Sequence, residues 1–147
     1  MAHYREMLPV AADPVAVFNL LANLAAWPSL LPHVRSLEHV NTGRSAITFV
    51  WRWIPFTVDV AVRKDEPLRK LEQRFGNNSG LRVACIWAVD EGPDNTAIIR
   101  LEARLVQAPL CTRTLIQRAI VPDLSRATLA MVQLLAESDR LAHTRIA

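Results

Sequence analysis

The chain has 147 residues, 51% of them apolar and 21% charged, with 17 basic side chains against 14 acidic ones. That length and composition read as a single domain over 1–147 with enough interior for a core, and they exclude disorder. The net charge of +3 is carried almost wholly by scattered arginines; no polybasic run tracks nucleic acid, and charge or proline breaks the apolar stretches short of a membrane span.

The opening segment, MAHYREMLPV, reads as a first strand and carries no apolar signal-peptide core. Cys85 and Cys111 form neither a CxxC pair nor a metal spacing. Both features fit a reducing cytoplasm, with no metal expected. Asp13-Pro14 is a helix start: an N-cap acceptor followed by proline at the first helical position. Val17, Phe18, Leu21 and Leu24 continue at helical spacing. The residue before a proline is pushed out of the α region, so the helix is expected to end near Trp27. In AWPSLLPHV, Pro28 then stops the first helix, a second short helical turn follows, and Pro32 releases the chain into a strand. Trp27 and Leu31 are placed by this corner at the rim of whatever the fold encloses.

From there, turn signals recur: Asn41-Thr-Gly-Arg-Ser, Lys64-Asp-Glu-Pro, Gly76-Asn-Asn-Ser-Gly and Glu91-Gly-Pro-Asp-Asn. Apolar residues alternate between them, as in antiparallel strands with one dry face. Phe56, Val58, Val60 and Val62 share one face; so do Leu81, Val83, Cys85, Trp87 and Val89; so do Ala97, Ile99, Leu101, Ala103 and Leu105. Phe49, Trp51 and Trp53 are predicted to point inward from one strand, beside Phe56 and Phe75. A short helical turn is predicted over 112–120. Beyond Pro122, Asp123 is expected to cap a long helix to about Ala142, with an apolar stripe of Leu124, Ala127, Met131, Leu134, Leu135 and Leu141.

The order strand, helix, short helix, six strands, long helix, together with VAADPVAVFNLLANLAAWPSLLPHV, resembles the START-like (SRPBCC, helix-grip) superfamily. Within it, the polyketide cyclase/dehydrase-type group is the most similar. The resemblance implies an α+β helix-grip fold. A curved antiparallel sheet of about seven strands would wrap around a long C-terminal helix, with two short helices between strands 1 and 2. It also implies a deep apolar cavity for lipids, quinones or polyketides. One dry sheet face and one amphipathic helix fit that picture, because a curved sheet is not filled completely by a single helix. The expected ligand wall is Trp27 and Leu31 at the rim, then Phe49, Trp51, Trp53, Phe56, Val58, Val60, Phe75, Val83, Cys85, Trp87 and Leu101 on the sheet. Met131 and Leu135 would face them from the helix.

No GxSxG, HExxH, GxGxxG or phosphate-binding loop occurs. Aromatase/cyclases of the superfamily hold a poly-β-ketone with an arginine and aromatic residues, and a general acid/base assists ring closure. Here the inward positions on the corresponding strand read Val58, Val60 and Val62, while Arg52, Asp59 and Arg63 have outward parity. The polar side chains left near a pocket mouth are His33, Tyr4 and Cys85, the last read as an inert buried thiol. The expected function is therefore binding of an apolar small molecule, with no cofactor and no nucleic-acid partner. The alternatives are a polyketide aromatase/cyclase using His33 and Tyr4, and a quinone-binding chaperone-like module. Monomer and homodimer are both open.

Overall fold

The computed structural model describes residues 3–41 and 44–146. The tip of the turn at Thr42-Gly43, the first two residues of the opening segment and Ala147 lie outside the described residues. In chain order the elements are β1 (His3–Val10), α1 (Pro14–Ala22), a 3-10 turn (Leu24–Ala26) and α2 (Trp27–Leu30). Six strands follow: β2 (Val34–Asn41), β3 (Arg44–Trp51), β4 (Ile54–Asp65), β5 (Lys70–Gly76), β6 (Arg82–Glu91) and β7 (Ala97–Gln107). The helical run at the end comprises α3 (Arg113–Leu115), a π turn (Ile116–Ile120) and α4 (Val121–Ile146). The strands form one seven-stranded sheet in the order β1-β7-β6-β5-β4-β3-β2, with every neighbouring pair antiparallel.

The alternation in the sequence sets the sheet's two faces. Val58 and Val60 on β4, Val83, Cys85, Trp87 and Val89 on β6, and Ile99, Leu101, Ala103 and Leu105 on β7 are all buried. Two apolar clusters result. One gathers α1, β1, β6, β7 and α4; the other gathers α2, β2, β3 and β4. Val62, Phe75 and Leu81 pack against both. The helix α4 closes the dry face with Leu129, Val132 and Ala136. Its far part is tied to β1 by Gln133 Nε2 donating to the Pro9 carbonyl at 3.0 Å, and Glu137 accepts from the Ala11 N–H at 2.8 Å.

The start of α1 follows its sequence signal: the Asp13 carboxylate accepts from the Ala16 N–H at 3.2 Å and Pro14 opens the first turn. Its end does not. The helix stops at Ala22, and Asn23 leads into the 3-10 turn. Trp27 is α-helical despite the proline after it (φ −55°, ψ −41°), and Pro28 stands in the first turn of α2 instead of ending α1. The steric bias before proline is a preference, and burial of the Trp27 indole outweighs it.

Trp53 corrects another expectation. The strand β3 ends at Trp51, which pairs with Ile54, and Arg52-Trp53 form a two-residue hairpin turn with φ of 47° and 73°. Two consecutive left-handed residues are the geometry of a type I′ turn, whose twist matches that of the flanking strands. Trp53 is therefore not on the inner face; it is 94% exposed. The turn lacks glycine, and contacts around it supply support instead. The Arg52 guanidinium lies 4.8 Å from the Trp51 ring centroid and 3.5 Å from the Asp123 carboxylate. Pro55 sits at the start of β4, before the stretch from Asp59 onward that pairs on both sides, as its missing N–H requires.

The C-terminal helix also differs. The expected break at Pro122 is absent, and the run continues from Arg113 to Ile146. Proline removes an i→i−4 hydrogen bond and crowds the carbonyl one turn back. The π turn just before it, closed by the Val121 N–H on the Ile116 carbonyl, widens the helix where that crowding falls. Asp123 is thus inside a helix and is not its N-cap. The inward stripe is rotated too: Ser125, Thr128, Leu129, Val132 and Ala136 are buried, whereas Leu134 and Leu141 are exposed. Two hydroxyl residues on the inner face displace the apolar pattern from the true one. By length and composition Arg113–Leu141 could cross a bilayer; in this fold the same segment is the helix gripped by the sheet.

Candidate ligand cavity

Between the two apolar clusters lies a cavity of about 320 Å³. Trp27 reaches it from α2, Phe49 and Trp51 from β3, Phe56 and Val58 from β4, and Phe75 from β5. The β6 strand contributes Val83, Cys85 and Trp87. These are nine of the expected wall residues. Three rings form a cluster: Phe49 stacks on Phe56 with centroids 5.7 Å apart, and meets the edge of Phe75 at 5.7 Å. Aromatic pairs in these offset and T-shaped geometries are favourable beyond the area they bury.

Six expected residues do not line it. Trp53 is in solvent. Leu31, Val60 and Leu101 are sealed in the two clusters. Met131 packs against the second cluster and Leu135 is half-buried on α4. The helix instead presents an earlier segment, with Ile116, Ile120, Val121, Leu124, Ser125 and Thr128. That wall escaped sequence reading because the expected break at Pro122 split it in two. The rim is displaced as well: Trp27 and Leu31 are both buried, whereas the exposed lining residues are Ile54, Asn77 and Leu115. The mouth therefore opens between the β3–β4 turn, the β5–β6 turn and α3.

The wall carries no Asp, Glu, His, Lys or Arg among the described residues. Cys85 is enclosed, and burial pushes its thiol up to about 12, so it remains protonated and inert as a nucleophile. Beside Asn77, Thr112, Ser125 and Thr128, the polar lining residue on the central strands is Gln73, which the sequence reading passed over. It is 1% exposed, on β5, and its Oε1 accepts from the Trp87 indole N–H at 2.9 Å. Alternation alone identifies it: Gln73 is the polar residue between Leu71 and Phe75 on the dry face.

Neither His33 nor Tyr4 lines the cavity, and the two lie at opposite edges of the sheet. His33 precedes β2 at one edge of the sheet, and its ring stacks on Phe49 with centroids 6.4 Å apart. Its Nε2 is 2.8 Å from Thr128 Oγ1, and that hydroxyl donates to the Leu124 carbonyl at 2.8 Å. A hydroxyl has one proton, so Nε2 is the donor to Thr128. Desolvation holds the imidazole below its ordinary value and hence neutral near pH 7. Tyr4 is on β1 at the opposite edge. Its hydroxyl is 3.4 Å from Glu6, and its ring lies under the Arg126 guanidinium at 5.9 Å. Its pKa is raised, first by burial and next by Glu6, which makes the phenol a weaker acid and keeps it protonated. The geometry supplies burial, shape, one fully buried amide and a few neutral polar groups, and brings no acid–base pair to the wall. A wider groove of about 550 Å³ lies on the outer sheet face, where Arg44–Asp59 and Arg74–Glu72 are exposed ion pairs; such pairs contribute little.

No known family's sequence profile matches this chain, and no curated protein matches it. Solved structures do. The Zhui aromatase/cyclase from a Streptomyces species superposes with a TM-score of 0.81 at 16% identity, over 92% of this chain and 93% of that one. A START superfamily protein from Mycobacterium smegmatis gives 0.78 at 6% identity, over 94% and 99%. The di-domain ARO/CYC BexL gives 0.73 at 22% identity over 90% of this chain, which spans only 45% of that protein's length. At these identities the likeness is one of architecture, and it agrees with the sheet order, the two short helices after β1 and the gripped C-terminal helix: the chain has the START-like, helix-grip fold.

Proposed function

We propose that this protein binds an apolar, uncharged small molecule in the cavity between the sheet and the C-terminal helix, without covalent chemistry. The observation that carries this reading is the wall itself. A volume of about 320 Å³ falls within the range of about 300–1,000 Å³ usual for small-molecule sites. Mostly apolar and aromatic side chains face it, with a few neutral polar ones and no ionised group among the described residues to reward a charged guest. Each Å² of apolar ligand surface removed from water there contributes about 25 cal/mol. Buried charge without a partner is strongly unfavourable, so fatty-acid carboxylates would have to remain at the mouth.

The test is native mass spectrometry of gently purified protein, followed by titration with quinones, aromatic polyketides and fatty acids. A guest that co-purifies or saturates one site, and that a Val58→Trp filling substitution expels, supports the reading. Absence of binding by every class would overturn it.

A ring-closing reaction on a polyketide is the second reading. It is favoured by the aromatase/cyclases among the structural neighbours and by the link from His33 through Thr128 to the cavity wall. Under that reading His33→Ala abolishes turnover of a poly-β-ketone thioester while leaving its binding intact. Turnover unchanged in His33→Ala and Tyr4→Phe would refute it.

A further inference from the structure

The amide of Gln73 is half used. Trp87 has an N–H and nothing that accepts, so the oxygen of Gln73 must be the atom it meets, at 2.9 Å. This fixes the orientation of the amide and sends the NH₂ group the other way. That Nε2 is fully buried and has no hydrogen-bond partner among the described residues, and Gln73 lines the cavity. Across the β5–β6 register its direct neighbour is Cys85, another lining residue. A buried donor left without an acceptor is the costly half of a hydrogen bond, and proteins seldom retain one.

We propose that Gln73 donates a hydrogen bond to the cavity's ligand, and that the ligand therefore carries a neutral acceptor oxygen (a ketone, quinone or lactone carbonyl) seated deep against β5 and β6. This rests on the cavity reading above and narrows it. The Trp87 bond occupies the amide oxygen, so the Gln73 amide has only its donors to offer. A ligand hydroxyl would have to present its oxygen and find another home for its proton. A carboxylate would meet no cation. A hydrocarbon would leave the amide unpaired. An amphiphile with its polar head at Ile54, Asn77 and Leu115 would do the same. The ligand class is thus an apolar skeleton with an internal carbonyl, held at its middle or far end.

The test uses two probes of one skeleton, 1-tetralone and tetralin, against wild type and Gln73→Met, which keeps the side chain's length and removes the donor. Affinities are measured by calorimetry or ligand-observed NMR. The expected result is a ratio of tetralone to tetralin affinity about tenfold higher in wild type than in Gln73→Met, with tetralin bound as well or better by the variant. An unchanged ratio overturns the proposal while tetralin binding leaves the cavity reading standing; failure of both probes to bind wild type overturns both. Should Gln73→Met not fold, the side-chain amide resonances of wild-type Gln73 decide. A downfield shift of one NH₂ proton with tetralone and not with tetralin supports the bond, and equal responses to the two probes refute it.

Discussion

Asp123 separates two ways of reading the same residue. As a helix N-cap it would be replaceable by serine at almost no cost, since the two residues cap equally well, and alanine would lose about 1 kcal/mol. In the structure it is a clamp. Its Oδ2 accepts from the Trp51 indole N–H at 2.9 Å, and the guanidinium groups of Arg52 and Arg126 lie at 3.5 and 3.3 Å. Removing a hydrogen bond to a charged acceptor forfeits about 1.5–3 kcal/mol. The two arginine side chains are 69% and 59% exposed, so their ion pairs add at most about 1 kcal/mol together. Asp123→Ala is therefore expected to lose about 2–3 kcal/mol, a fall in Tm of about 5–10 °C for a chain of this size. Asp123→Ser is expected to lose nearly as much, because the serine oxygen ends one bond short of the indole. Trp51→Phe combined with Asp123→Ala should lose about 1–2 kcal/mol less than the sum of the single changes. Urea denaturation of wild type and the four variants measures all of this. A serine variant within about 0.5 kcal/mol of wild type, or strict additivity in the double variant, would show that the clamp does not hold β3 to the helix.

Phe49→Ala is expected to destabilise by about 3 kcal/mol, near the lower end for a core aromatic, because part of the ring already faces the cavity; a loss below about 1 kcal/mol in the same assay would contradict its place at the centre of the ring cluster. Trp53→Ser, at the exposed tip of the β3–β4 turn, should change stability by no more than about 0.5 kcal/mol, and a large loss would return it to the core. For His33, the folded pKa lies below the unfolded one, so the unfolded chain binds more protons as the solution is acidified. Its share of stability is whole above the ordinary histidine value of 6.5 and is lost as pH falls from there through the folded value. His33→Gln should flatten the urea midpoint between pH 7 and pH 5 relative to wild type, and an equal slope in both proteins refutes this. Native thiol titration at pH 8 should label the exposed Cys111 quickly and the buried Cys85 only on unfolding; equal labelling rates would mean that the cavity wall opens readily.

Much of the architecture is local, and so it is legible before any coordinates. The faces of β4, β6 and β7 follow from period-two alternation, because a one-residue slip would turn every buried side chain into water. The start of α1 follows from Asp13-Pro14, because capping depends on neighbouring residues alone. The aromatic and valine wall is readable for the same reason. Three things are not local. Whether Pro122 breaks a helix depends on a π turn formed upstream. Whether Trp53 continues a strand depends on a turn in which Trp51 and Arg52 are held by Asp123, 72 residues beyond Trp51. Which face of α4 points inward depends on what the sheet leaves for it, and Ser125 and Thr128 are admitted because a cavity, not packed hydrocarbon, lies opposite. Sequence alone determined a curved sheet with one dry face and a helix to cover it. Tertiary structure decided that the cover is a single continuous helix, that the mouth lies beside α3, and that one buried amide, pinned by Trp87, keeps a donor without a partner among the described residues. A hydrogen-bond vacancy of that kind arises only when side chains distant in sequence occupy, or fail to occupy, one another's polar atoms.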